Sequence, residues 1–157
     1  MQTLKLDEID LQILDFLQED AKITAKEMAS RLSLTPTPIY ERVKKLEAEG
    51  VIQNYVALLH PEKMGKRLVV FLNITIKEHE QKLRNKFVAE ISELDDITEL
   101  YHTSGQYDFL ANVRFDTIQE YRDFLVNKVS MISNIGDLDS SIVLEEIKST
   151  TAIKIDR

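Results

Sequence analysis

At 157 residues, 43% hydrophobic and 30% charged, the chain has the length and composition of one medium or two small globular domains that fold without covalent staples. It contains no cysteine, which removes disulfide frameworks and thiolate zinc sites, and its formal net charge of −7 confines any contact with nucleic acid to a local patch. The longest apolar run, Leu68 to Leu72, is far too short to cross a bilayer, and no signal-like apolar stretch precedes the charged Lys5, Asp7 and Glu8; no membrane role is expected and the cytoplasm is the default compartment.

Asp7 to Gln18 sets Ile9, Ile13, Phe16 and Leu17 on one side and charges on the other, which predicts a first helix. Thr24 to Leu32 predicts a second, opened by the capping-box pair Thr24 and Glu27 and apolar at Met28, Ala29 and Leu32. Only Ser33 to Pro36 separate it from a third, in which Ile39, Val43 and Leu46 form one stripe and turn Thr37, Tyr40, Glu41, Lys44 and Lys45 outward. Thr35 or Thr37 can cap its start, proline is tolerated in a first helical turn, and Gly50 supplies its stop. A turn this short sets two helices at a steep angle, as a helix-turn-helix requires, with the motif at about residues 25–44.

Charge placement separates this reading from a plain three-helix bundle with a solvated face. From Lys22 to Lys45 the six cations Lys22, Lys26, Arg31, Arg42, Lys44 and Lys45 stand against the two acids Glu27 and Glu41, a local charge of plus four on an acidic chain. Such a face meets phosphates at one place while the remainder repels them. Arg31, Arg42, Lys44 and Lys45 are the expected phosphate or base-edge contacts, and Thr35, Thr37, Tyr40 and Glu41 the residues that tune sequence choice.

Val51 to Leu59 looks like an extended connector that His60-Pro61 ends. Beyond it, strand signals at Leu68 to Ile76, Ile97 to Thr103, Tyr107 to Phe115 and Ser141 to Ile147 alternate with helical stripes at Gln81 to Leu94 and Thr117 to Val129. The order is β-α-β-β-α-β, the ferredoxin-like motif, and all four glycines, Gly50, Gly65, Gly105 and Gly136, are expected in turns. The fold class is therefore α+β: a three-helix, winged helix-turn-helix head over 1–52, a connector strand within 53–66, and a ferredoxin-like domain over 67–157.

The first strand is apolar on both faces, with Leu68, Val70, Leu72 and Ile74 on one and Val69 and Phe71 on the other. Leu110 interrupts the third in the same way, and the expected fourth is apolar on both sides at Ile142, Val143 and Leu144. Two helices cover one face only, so a second copy of the sheet is the economical cover for the other, and a homodimer is expected. A dimer also supplies the two heads that a palindromic site needs.

Taken together, Leu6-Asp7-Glu8-Ile9-Asp10-Leu11-Gln12-Ile13-Leu14, Leu34-Thr35-Pro36-Thr37-Pro38 with Glu41-Arg42-Val43-Lys44-Lys45-Leu46-Glu47, Gly50-Val51-Ile52, and Ser104-Gly105-Gln106-Tyr107-Asp108 closely resemble the Lrp/AsnC, or feast/famine, transcription regulators over nearly the full chain. The resemblance implies a cytoplasmic, nucleoid-associated regulator that binds double-stranded DNA. It further implies a tail domain that dimerises and assembles dimers into tetramers or octamers, and an amino-acid or related effector bound between dimers. Carried over residue by residue, it places the effector at the turn Ser104, Gly105, Gln106, Tyr107 and Asp108; Tyr101 and Thr103 beside the turn are further expected contacts, and Asn134 and Gly136, in the loop Asn134 to Asp137, are the expected opposing wall. Gly105 would let backbone amides approach a carboxylate and Asp108 would pair with an ammonium, although an ordinary hairpin turn with Asp108 satisfying backbone donors fits the same residues.

Catalysis has no candidate constellation. His60, His79 and His102 are scattered, Gly65-Lys66 lacks the earlier glycine of a phosphate loop, and Ser104 lacks a nucleophile-elbow frame. No cofactor or metal is expected and the protein is read as a non-enzyme. A ligand-independent architectural DNA-binding protein and a metabolite-sensing module acting through protein contacts are the competing readings.

Overall fold

The computed structural model describes residues 5–156 and divides them into two compact units: one runs to Leu58 and includes the tail from Lys148, the other is Leu59–Ile147. Residues 1–4 and Arg157, within the expected domains, lie outside the described residues.

The first unit holds three helices, α1 (Glu8–Glu19), α2 (Ala25–Leu32) and α3 (Pro36–Ala48). Reciprocal capping boxes start the first two: Asp7 with Asp10, and Thr24 with Glu27. Ile13, Met28, Ala29, Ile39 and Leu46 are buried together, and each large side chain withdrawn from water here contributes roughly 1.5–3 kcal/mol. Between α2 and α3, Ser33 adopts a left-handed conformation (φ 55°), and the Leu34 N–H returns to the Ala29 carbonyl at 2.9 Å. Thr35 occupies the cap position of α3 without a side-chain cap bond; Pro36 in the first turn lacks an N–H that would need one. Gly50, at φ 70°, takes the chain out of α3, and the Val51 and Ile52 N–H groups fold back to the Leu46 carbonyl.

No β-hairpin wing follows α3 among the described residues, and 53–60 form no ladder. The expected connector strand is irregular chain, because a strand exists through a paired edge and no strand among the described residues pairs with it. The tail from Lys148, which the sequence pattern reads as the end of the sheet domain, groups with the head. Gln18 clasps it there, its carboxamide donating to the Ile153 carbonyl (3.1 Å) and accepting from the Ile153 N–H (2.6 Å).

The second unit is an antiparallel sheet in the order β2-β3-β1-β4, made of β1 (Leu68–Ile76), β2 (Ile97–His102), β3 (Phe109–Phe115) and β4 (Ile135–Ile142). Helices α4 (Gln81–Ser92) and α5 (Ile118–Asn127) contribute Phe87, Ile91, Tyr121 and Phe124 to the core, against Val70, Leu72, Ile74, Ala111 and Val113.

The last strand corrects the sequence reading. It starts at Ile135, six residues before the expected Ser141, so Gly136 lies inside a strand. Asn134 to Asp137 read as a loop, but β1 offers residues 135–142 a free edge beside the core, and its ladder (Ile74 with Leu138, Leu72 with Ser140, Val70 with Ile142) overrides their weak propensity. Leu144 and Ile147, expected in the strand, are exposed beyond it. The uncovered face is consequently mixed: Val69, Phe71 and Leu110 lie among Asn73, Asn112, Arg114, Asp139 and Ser141.

Candidate nucleic-acid interface and ligand turn

The stripe of buried Ile39 and Leu46 with half-buried Val43 fixes the rotation of α3, and Thr37, Tyr40, Glu41, Lys44 and Lys45 are all exposed on its other side. Lys44 Nζ bonds Glu47 at 2.8 Å and lies 5.8 Å from the centre of the Tyr40 ring; the Glu47 hydrogen bond holds its pKa above the ordinary lysine value. Lys45 has no ion-pair partner among the described residues. Arg31, at the end of α2, lies over the Phe16 ring at 5.2 Å, and Thr35 stands exposed at the head of α3.

Arg42 departs from its expected place among the outward cations. Its Nη1 donates to Asp7 Oδ2 and to Asp10 Oδ1, both at 2.6 Å, which turns the guanidinium toward α1. The bonds to Asp10 and Asp7 raise its pKa further, and Asp7 is held below the usual carboxylate value by the Asp10 N–H and by Arg42. Capping-box spacing shows Asp7 and Asp10 in the sequence; nothing in the sequence shows that α3 would come back to them.

The turn Ser104 to Asp108 joins β2 to β3. The Thr103 N–H bonds the Asp108 carbonyl (2.8 Å), the Thr103 hydroxyl donates to the Tyr107 carbonyl (2.8 Å), and Gly105 takes φ 132°, which favours glycine. Ser104, Gly105 and Gln106 are exposed. Asp108 braces the hairpin: its Oδ2 accepts from the Ile76 N–H at 2.9 Å and its Oδ1 lies 3.6 Å from His79 Nδ1. The Tyr107 hydroxyl bonds Asp139, which raises its pKa, and Tyr101 is half exposed, its phenol raised by the hydrogen bond to Glu99.

Asn134 comes to the same end of the sheet from the other side. Held at φ 66°, it accepts from the Glu78 N–H (3.0 Å) and donates to the Glu78 carbonyl (2.9 Å), so it and Asp108 clasp the two flanks of the β1 exit. Gly136 does not join them as a loop residue. It sits in β4, where a Cβ would lie 2.8 Å from Thr75 Oγ1. A cleft of about 450 Å³ opens beside Asn134, lined by Leu125, Val129, Ile132, Ile135, Leu138 and Lys77 among others; none of residues 103–108 lines it. The sequence reading missed His79 and Asp139, which meet Asp108 and Tyr107 of the turn, and Thr75 and Glu78, which bond Asp137 and Asn134.

No helix of the described residues is long and apolar enough to cross a membrane. Residues 69–153 match the family described as Lrp/AsnC ligand binding domain, and residues 6–53 match that described as winged helix-turn-helix DNA-binding. The chain is 35% identical over 150 residues to the leucine-responsive regulatory protein of Salmonella typhimurium, covering 96% of this chain and 92% of that one. It is 33% identical over 151 residues to the DNA-binding transcriptional activator DecR of Escherichia coli, covering 96% and 99%. A transcriptional regulator from Neisseria meningitidis solved in complex with L-Met has the same fold, with a TM-score of 0.90, 31% identity, and coverage of 96% and 97%.

Proposed function

Because the chain belongs to the Lrp/AsnC family of DNA-binding transcription regulators, we propose that it reads double-stranded DNA with the outer face of α3 and adjusts that reading to a small effector. Thr35, Thr37, Tyr40 and Glu41 face base edges in this reading, and Arg31, Lys44 and Lys45 neutralise phosphates. The observation that carries it is the exposure of Thr37, Tyr40, Glu41, Lys44 and Lys45 on a helix whose opposite stripe is buried. The protein acts in the cytoplasm, on the nucleoid, as a homodimer joined through the uncovered sheet faces and assembled further into tetramers or octamers.

The effector is an amino acid or a related metabolite, held where Ser104 to Asp108 meets the neighbouring dimer; the L-Met complex of the Neisseria relative supports that class. Binding that favours one assembly over another resets the spacing of the heads. Lys45→Ala is the direct test of the α3 reading, since this cation has no ion-pair partner to lose among the described residues. Affinity for duplex DNA should fall, and the slope of log affinity against log salt should shrink by about 0.9 for one phosphate contact. A folded Lys45→Ala protein with the wild-type affinity and slope would remove this residue from the interface.

A further inference from the structure

Asp10 is a buried acid, 5% exposed, at the start of α1, and its partner comes from thirty-two residues further along the chain. A carboxylate withdrawn from water is stable only when paired and hydrogen-bonded. Asp10 meets that condition twice: Oδ2 accepts from the Asp7 N–H at 3.1 Å, and Oδ1 accepts from Arg42 at 2.6 Å. Asp7 is bound in the same way, Oδ1 to the Asp10 N–H at 2.9 Å and Oδ2 to Arg42 at 2.6 Å. The guanidinium therefore closes a ring onto a capping box, tying the first turn of α1 to the middle of α3.

We infer that Arg42 is a positioning residue for DNA reading: by bridging Asp7 and Asp10 it fixes the angle of the recognition helix and does not itself bind phosphate. Charge supports this division of labour. One guanidinium between two carboxylates leaves a net negative cluster at that flank of α3, which repels a phosphate there. Geometry supports it as well. Both bonds leave one nitrogen, Nη1, whose two N–H groups are fixed in the guanidinium plane, whereas a lysine ammonium on a flexible stem holds its donors less firmly. Lys44 and Lys45, on the exposed side of the same helix, are left as its phosphate contacts.

The inference rests on the DNA-binding reading and makes its own prediction within it. Arg42→Met would leave Asp10 buried and unpaired and could unfold the head, so Asp7→Asn is the informative variant: asparagine caps a helix as well as aspartate, while an amide NH2 in place of Oδ2 removes both the charge and the acceptor that Arg42 uses. The probe is the duplex that the wild-type full-length protein selects from a random pool, compared with a random duplex of the same length. If Arg42 positions α3, Asp7→Asn lowers the preference for the selected duplex about fivefold, while affinity for random DNA is unchanged. Simple charge removal predicts the reverse, tighter binding to both. A merely stabilising role moves the melting temperature and both affinities together, not their ratio.

Arg42→Lys keeps the positive charge and should show the same fall in preference. A preference that stays at the wild-type value, or rises, in Asp7→Asn overturns the inference, and so does an Arg42→Lys protein that discriminates like wild type. A wild-type protein that selects no duplex at all would instead sink the DNA-binding reading itself.

Discussion

Tyr55, in the irregular segment after α3, donates its phenolic hydrogen bond to Glu47 Oε1 at 3.1 Å, while Oε2 of the same carboxylate holds Lys44 at 2.8 Å. One acid thus joins the connector to the outer face of the recognition helix. Burial, with Glu47 adding to it, pushes the Tyr55 phenol up to about 12. The folded protein favours the neutral phenol. Its contribution to stability is therefore complete below the ordinary tyrosine value of 10.0 and is lost as pH rises through about 12. Ultraviolet difference titration of wild type against Tyr55→Phe should show one phenol ionising near 12; a missing phenol near 10 would detach Tyr55 from Glu47.

Gly136→Ala tests the corrected course of the last strand. An added Cβ would lie 2.8 Å from Thr75 Oγ1, and that hydroxyl already accepts from the Asp137 N–H at 2.7 Å, so neither side can yield freely. Overpacking of this kind costs about 1–3 kcal/mol, to be measured by urea unfolding. Were Gly136 in an open loop, as the sequence suggests, alanine would be neutral.

How far the sequence could be read follows from which signals are local. The boxes at Thr24 with Glu27, the stripe Ile39, Val43 and Leu46, and the stop at Gly50 lie within one or two helical turns, and all three stand in the structure. The strand at Ile135 was not legible because its apolar residues are few and its stability comes from pairing with β1, far away in sequence. The partners of Arg42 are hidden for a related reason. Its position on α3 shows a cation half turned from the core, but only the packing of α1 brings Asp7 and Asp10 beneath it. At the candidate ligand turn the motif marks Ser104 to Asp108 but not the braces on Ile76 and Glu78, which depend on the end of a neighbouring strand.

Asp108→Asn separates two roles of the turn. Asparagine keeps a carbonyl oxygen that can accept from the Ile76 N–H, now bound at 2.9 Å, so the hairpin should remain folded. The negative charge needed to pair with an ammonium is gone. Light-scattering mass measured against a panel of the twenty amino acids should shift with one of them for wild type and with none for Asp108→Asn. An unchanged shift in the variant would leave Asp108 as a brace alone.

Leu110→Asp tests the homodimer through the sheet. Leu110 pairs with Asn73 and Tyr101 on the face opposite α4 and α5, beside the strand that carries the buried Val69 and the half-buried Phe71. Asn112 on the same face donates to Glu99 at 2.9 Å, but its Oδ1 is buried and finds no partner among the described residues. An orphan acceptor beside apolar side chains suits a face that meets a second layer, where a donor from the other copy can satisfy it. An aspartate at Leu110 would bury an unpaired charge in that layer, at a cost of about 3–5 kcal/mol. Sedimentation across a concentration series should then show single chains where wild type shows dimers or their multiples. A Leu110→Asp protein that keeps the wild-type mass at every concentration would place the dimer contact elsewhere.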